Sequence, residues 1–160
     1  GADWQPSAVD LRALIEEALT STSQLFHEQQ IELALDLPDR VPVILVDHDR
    51  IMQVMVNLLS NAEKYSGERK EITVHVEAAK DSVQVHVLDR GPGVPRGCEE
   101  KIFEQFFRAH DSLSSGIQGS GLGLTLARQI ARAHGGDVTY QPRDGGGSCF
   151  TLRLTGGSAT

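Results

Sequence analysis

No stretch of the 160 residues is apolar for long enough to span a bilayer, and nothing resembling a signal peptide precedes the first helical pattern. A soluble, cytoplasmic domain is therefore expected, with no membrane contact of its own. Gly1-Ala2 reads as a cloning remnant, so a longer parent, membrane-anchored or not, is compatible with it. Cysteine is scarce. Cys98 and Cys149 are far apart and lack metal-ligand spacing, which excludes a disulfide framework and a cysteine zinc site, and both read as free thiols in a reducing cytosol. Positive charge is short too: 15 Lys and Arg against 22 Asp and Glu leave a formal net charge of −7. That excludes the broad basic face which nucleic acid or an acidic membrane requires. With 39% hydrophobic residues the chain can still bury one real core, though not two comfortable ones. A single domain is expected over 1–160, with 1–9 as a linker remnant and 155–160 as a tail.

What is present is organised around one helical stretch. Ile51, Val54, Met55, Leu58, Leu59 and Ala62 recur at the three-and-four spacing of a helix with one buried face. Gln53, Asn57, Asn61 and Lys64 form a second stripe away from it, so two side-chain amides sit one turn apart and a lysine follows. Asn is a poor helix former, and a merely solvated stripe is better made of Glu, Lys or Gln. The amide oxygens are neutral, hard donors of the kind Mg²⁺ accepts when phosphates supply the negative charge. A plain polar helix face remains the alternative.

The rest of the chain reads as alternating elements. Asp10 is placed to cap a helix whose apolar positions are Leu11, Leu14, Ile15, Ala18, Leu19, Thr22, Leu25 and Phe26. Ile31, Leu33 and Leu35 alternate as in a strand ended by Pro38, and Val43 to Val46 forms a second short strand. Asp47 or Asp49 caps the Asn57 helix, and Gly67 stops it. Ile72, Val74, Val76 and Val83, Val85, Val87 alternate on either side of a Lys80-Asp81-Ser82 turn, which predicts a hairpin with His75 and His86 on its polar phase. These two histidines are not taken as metal ligands. Val138 to Tyr140 and Phe150 to Leu154 make another hairpin around Gly145-Gly146-Gly147, with a helix from Leu122 to Ala133 between the hairpins. The expected class is α+β: a two-layer sandwich in which one mixed, mostly antiparallel sheet is covered on one face by about three helices. Residues 94–120 are too long for an ordinary connector and hold Phe103, Phe106 and Phe107, which favours a lid over a disordered linker.

Two glycine segments flank that long stretch. Asp89-Arg90-Gly91-Pro92-Gly93-Val94 follows an alternating strand directly, and Gly119-Ser120-Gly121-Leu122-Gly123-Leu124 opens an amphipathic segment. A simple turn explains the first and a hinge the second, each taken alone. A Walker A loop is excluded because Gly-Lys-Ser/Thr is absent, and the Rossmann fingerprint because strand context and spacing differ. Taken in order, the asparagine helix, the first glycine segment, the phenylalanine segment and the second glycine segment resemble the ATP-binding catalytic domain of bacterial sensor histidine kinases. That superfamily is shared with type II topoisomerases, a heat-shock chaperone and mismatch-repair ATPases.

The resemblance implies roles. Asn61 would ligate Mg²⁺, Asn57 would support the metal or a phosphate-bound water, Lys64 would face the phosphates, and Tyr65 would line the adenosine pocket. Asp89 would accept a hydrogen bond from the adenine amine, with Gly91, Gly93 and Val94 closing on the base. Gly119, Ser120, Gly121, Leu122, Gly123 and Leu124 would offer N–H groups at a helix start to phosphate oxygens. Phe103, Phe106 and Phe107 would anchor the lid, and Arg108 would reach the terminal phosphate; Asn57, Lys64 and Arg108 are thus the implied catalytic set. ATP hydrolases of the superfamily carry glutamate where this chain has Asn57, and an amide is no base for water. Transfer to a protein histidine is therefore implied rather than hydrolysis. His27-Glu28 lacks the surroundings of a phosphoacceptor motif, so the acceptor is expected on a separate dimerisation domain, and a response-regulator receiver domain as the next partner. The isolated domain would be a monomer. A serine kinase of the anti-sigma type and a nucleotide-sensing module without transfer activity are the competing readings.

Overall fold

The computed structural model describes residues 4–104 and 123–155. Five strands form the main sheet: β2 (Glu32–Asp36), β4 (Glu71–Ala78), β5 (Ser82–Asp89), β6 (Asp137–Pro142) and β7 (Ser148–Thr155), in the spatial order β2-β4-β5-β7-β6. Only the β2–β4 pairing is parallel; the other neighbours are antiparallel. One face of the sheet carries Ile72, Val74, Val76, Val83, Val85, Val87, Phe150, Leu152 and Leu154, all buried. Against it pack α1 (Leu11–Glu28), α2 (His48–Lys64) and α3 (Gly123–Ala133), with α2 in contact with both of the others. This is the two-layer α+β class that the alternation predicts.

The pattern of α2 explains its place in the middle. Its six predicted apolar positions are all buried, and Ile51, Val54, Met55, Leu58 and Leu59 are fully so. Truncating one of these leucines to alanine would cost about 2–5 kcal/mol, since the transfer term and the cavity term add. Of the two candidate caps, Asp47 serves: its Oδ1 accepts the Arg50 N–H at 3.2 Å. The helix ends at Lys64 with Tyr65 as its cap, and Gly67 follows two residues later with φ of 70°. Asp10 caps α1 as expected, accepting from the Ala13 N–H at 3.3 Å.

Two features differ from the expectation. Ser7–Asp10 form a strand, β1, pairing antiparallel with β3 (Val43–Val46), so a two-stranded ribbon stands apart from the main sheet and part of the expected linker remnant is structured. Four residues are too few to show an alternation, and their partner lies far along the chain. Second, Leu33 and Leu35 stay 39% and 41% exposed, because β2 is an edge strand beyond the cover of the helices. The helix expected from Leu122 to Ala133 is present as α3, and Leu122 itself lies outside the described residues.

The entering chain is tied to the start of α2. Asp47 Oδ2 accepts the Gln5 N–H at 2.9 Å, while the Asp47 N–H donates to His134 Nε2 at 3.1 Å and Trp4 packs edge-on against that imidazole. The Gln5 N–H, the largest influence, holds the Asp47 carboxyl below the ordinary carboxylate range. A lowered folded-state pKa means that the unfolded chain binds more protons in acid, so this contribution is present at neutral pH and lost as pH falls through the folded value. Asp47→Ala is expected to lower the urea midpoint at neutral pH, and the gap from the wild type should close below the carboxylate range; a gap that stays constant in acid would contradict the assignment.

Candidate functional site

The candidate site is the edge of the helical layer where α2 meets two glycine-bearing segments. Asn57 and Asn61 lie one turn apart on the half-exposed side of α2, and Lys64 is exposed in its last turn. The Asn57 amide donates through Nδ2 to the Gly123 carbonyl at 3.3 Å, which joins α2 to the first turn of α3. That bond leaves the Oδ1 of Asn57 as an acceptor. At the other end of the helix, the Tyr65 carbonyl sits against Gly91 so closely that a Cβ on Gly91 would lie 1.7 Å from it. Gly91 thus makes room for the end of α2, a neighbour its sequence context does not show.

Asp89 is the buried carboxylate of the site, 2% exposed at the end of β5. Its Oδ1 accepts two backbone N–H groups, from Gly91 at 2.8 Å and Ser148 at 3.3 Å. Among the described residues none donates to Oδ2. Burial raises the pKa of the Asp89 carboxyl above the ordinary range, and the two backbone donors offset part of that. Gly147, at φ of 115°, lets the β6–β7 turn press onto the Asp89 carbonyl, where a Cβ would come within 2.1 Å. Arg143 donates to the same carbonyl at 3.3 Å, and Arg90 reaches across to the Asp144 carbonyl at 3.0 Å. The Val94 N–H donates to the Tyr140 hydroxyl at 3.1 Å, and Gly93 has φ of 78°.

Of the residues the sequence singles out, Asn57, Asn61 and Lys64 lie along α2, Gly123 and Leu124 open α3 beside Asn57, and Asp89 ends β5, with Gly91, Gly93 and Val94 following it past Tyr65 at the C-terminal end of α2. Leu124 packs on the core. Phe103 lies in a 3₁₀ turn, Lys101–Phe103, and is buried edge-on to Phe150. Phe106, Phe107, Arg108, Gly119, Ser120, Gly121 and Leu122 lie outside the described residues. Ser148, Gly147, Tyr140 and Arg143 were not singled out. Their only sequence signal is the glycine run before Ser148, and placing it beside Asp89 requires the register Leu88↔Cys149.

Other candidates stand apart. His75 and His86 stack at 5.6 Å on the sheet face away from the helices, and among the described residues no group of three His, Cys, Asp or Glu could hold a metal. Burial lowers the pKa of His86. Cys98 and Cys149 are free thiols, and burial raises the Cys149 pKa. His27 is exposed in the last turn of α1. For a phosphate-bound Mg²⁺ the fitting donors are the neutral amide oxygens of Asn57 and Asn61 on the open side of α2.

A family model described as histidine kinase-, DNA gyrase B- and HSP90-like ATPase matches residues 46–157. The chain belongs to this ATPase family. Within it, the chain is 40% identical over 147 residues to the adaptive-response sensory kinase SasA of Crocosphaera subtropica, covering 91% of this chain and 38% of that protein. It is 35% identical over 133 residues to the sensor histidine kinase WalK of Bacillus subtilis, covering 82% and 22%. The chain thus spans well under half the length of these curated relatives. Among solved structures, the catalytic domain of histidine kinase ThkA in a nucleotide-free form superposes with a TM-score of 0.83 at 28% identity, over 94% of this chain and 97% of that one. The full-length kinase ShkA in complex with AMPPNP superposes with a TM-score of 0.85 at 28% identity, over 99% and 32%. The ATPase domain described here is thus of the kind carried by two-component sensor kinases.

An Asn at position 89 would keep an oxygen for the two backbone donors while removing a buried charge. A carboxyl whose folded pKa is raised makes the native state bind the extra proton, so ionising it costs stability as pH rises through that value. Asp89→Asn is expected to raise the thermal midpoint at neutral pH, by an amount that shrinks in acid, and, if Asp89 pairs with the adenine amine as the resemblance implies, to lose adenine-nucleotide binding because its NH₂ would meet that amine. A lowered midpoint with binding retained would contradict this account.

Proposed function

We propose that this chain binds Mg-ATP and transfers its γ-phosphoryl group to a histidine on a dimerisation and phosphoacceptor domain of the same parent protein, on the cytoplasmic side. The observation that carries the reading is the span of α2: one helix presents two amides between Gly123, to which Asn57 is bonded, and Gly91, on which the Tyr65 carbonyl rests. A ligand on that open side meets amide oxygens in the middle, a buried carboxylate at one end and a helix N-terminus at the other. The fold and family of sensor kinases agree with this arrangement.

Each group then has a task in this reading. The Oδ2 of Asp89 accepts from the exocyclic amine of adenine. Guanine would set a carbonyl against it, and an unpaired buried polar group costs roughly 1–3 kcal/mol, or about ten- to a hundredfold in affinity. Asn61 holds the metal through its amide oxygen, and Asn57 supports it or a phosphate-bound water while its Nδ2 stays on Gly123. When bound, Mg²⁺ neutralises charge on the transferring phosphoryl group. The first N–H groups of α3, with the positive end of its dipole, face phosphate oxygens, and Lys64 adds a cation at the rim. Arg108, Phe106 and Phe107 are assigned to the terminal phosphate and the lid by resemblance. Because Asn57 replaces a general base, water is not activated, and intrinsic hydrolysis is slow compared with transfer to an imidazole held in line.

ThkA has been solved with a response-regulator protein, TrrA. By the same logic, a receiver domain takes the phosphoryl group from the phosphohistidine of this parent. Mixing the chain with a separately made histidine-bearing domain and γ-labelled ATP is expected to yield acid-labile phosphoprotein. Acid-stable phosphoserine would point to the anti-sigma type of kinase, and no transfer with nucleotide bound would point to a sensing module. In calorimetry, Asn61→Ala is expected to remove Mg²⁺-dependent ATP binding, with no nearby carboxylate to replace the lost oxygen; an unchanged Mg²⁺ dependence would exclude Asn61 as the ligand.

A further inference from the structure

We infer that Thr125 and Arg128 are positioning residues of the nucleotide site, locking the Lys101–Phe103 turn to α3 and so holding the start of α3 against Asn57. The inference rests on the nucleotide reading above and extends it to two side chains bonded to the Lys101–Phe103 turn and to β6. Thr125 lies in the first turn of α3, two residues after Gly123. Its hydroxyl donates to the Phe103 carbonyl at 2.7 Å, a bond between residues 22 apart in sequence. The bond joins the 3₁₀ turn directly to the first turn of α3.

Arg128, one turn further along α3, fastens the same joint from the other side. Its side chain is 11% exposed and its guanidinium lies over the Phe103 ring, 3.7 Å from the centroid. Nη1 donates to Glu100 Oε1 at 3.1 Å, Nε donates to the Val138 carbonyl at 3.1 Å, and Asp137 Oδ1 lies 3.2 Å from Nε. A single side chain thus joins the 3₁₀ turn, α3 and the start of β6. A guanidinium this buried is costly unless its donors are used and its plane is matched, and that requirement fixes one arrangement of the three elements. The arrangement has a functional consequence because α3 begins at Gly123, whose carbonyl is the partner of Asn57 Nδ2 at 3.3 Å. If α3 shifts along its axis, that bond is lost, the Asn57 amide is freed to turn, and the N–H groups at the start of α3 move off the phosphates. Leu124 and Ala127 on the core side would resist the shift only by packing, which does not set an axial position as sharply as a directed hydrogen bond.

The test compares Mg-ATP affinity by calorimetry in wild type, Thr125→Val, Thr125→Ser, Arg128→Lys and Arg128→Ala, each well below its own thermal midpoint. Thr125→Val conserves the shape and removes the donor, and it should weaken binding about three- to tenfold, the worth of one such bond. Thr125→Ser should recover most of the affinity. Arg128→Lys keeps the charge but not the fork or the stacked plane, and should fall between wild type and Arg128→Ala. Val and Lys variants that lose thermal stability yet bind Mg-ATP as wild type does would overturn the inference and leave a structural role alone, and so would a Ser variant as weak as Val. Should Thr125→Val fail to fold, the Lys comparison decides the matter. A wild-type chain that does not bind Mg-ATP would remove the nucleotide reading and this inference together, an outcome distinct from loss of the inference alone.

Discussion

The burial of one face of α2 is the constraint on which the rest depends. Ile51, Val54, Met55, Leu58, Leu59 and Ala62 are driven out of water against the sheet and the flanking helices, and that rotation of the helix about its axis decides where every other side chain on it goes. Asn57 and Asn61 stand on the open side because the leucines do not. Two poor helix formers are tolerated in mid-helix because the apolar face, not local propensity, supplies the stability. Function thus borrows its geometry from the core.

The site is then assembled by backbone as much as by side chains. Asp89 is held through two N–H groups and pressed by the β6–β7 turn, while Gly91 and Gly147 are small so that carbonyl groups of other elements can approach. A carboxylate fixed in this way through its Oδ1 has its orientation set by the fold, which in the proposed reading lowers the ordering cost of binding. The open sheet face carries His75, His86 and Cys149, and its Arg143 reaches the site through the Asp89 carbonyl. Its polar surface follows from having no layer of helices over it.

The family match and the superpositions agree with the physical argument, and each limits the other. The family description joins histidine kinases with gyrase-like and chaperone-like ATPases, so the fold alone does not fix the chemistry. What separates transfer from hydrolysis lies in individual side chains. Asn57 is bonded to Gly123 and has no basic lone pair to activate water, and the proposed transfer to an imidazole rests on that difference. The chain covers nearly the whole of the ThkA catalytic domain and a small share of the whole sensor kinases, so the match is to their ATPase domain.

Much was legible in the amino-acid order alone, because the decisive patterns are local or ordered along the chain. The 3.6-residue period of α1, α2 and α3, the two-residue period of β4, β5 and β7, the cap at Asp10 and the succession of asparagine and glycine segments each require only neighbours to be recognised. Other features depended on which segments meet in space. Ser7–Asp10 became a strand only by meeting Val43–Val46; Leu33 and Leu35 stayed exposed because no helix covers the sheet edge; Gly91 proved to face Tyr65; and Ser148 reached Asp89 through a strand register. The amino-acid order by itself determined the periods, the caps and the chemical identity of the donors, since those are properties of residues a few positions apart. The tertiary structure alone decided which carbonyl each glycine admits and which backbone donor each carboxylate oxygen receives, because contacts between segments tens of residues apart are set by packing that no single stretch of chain encodes.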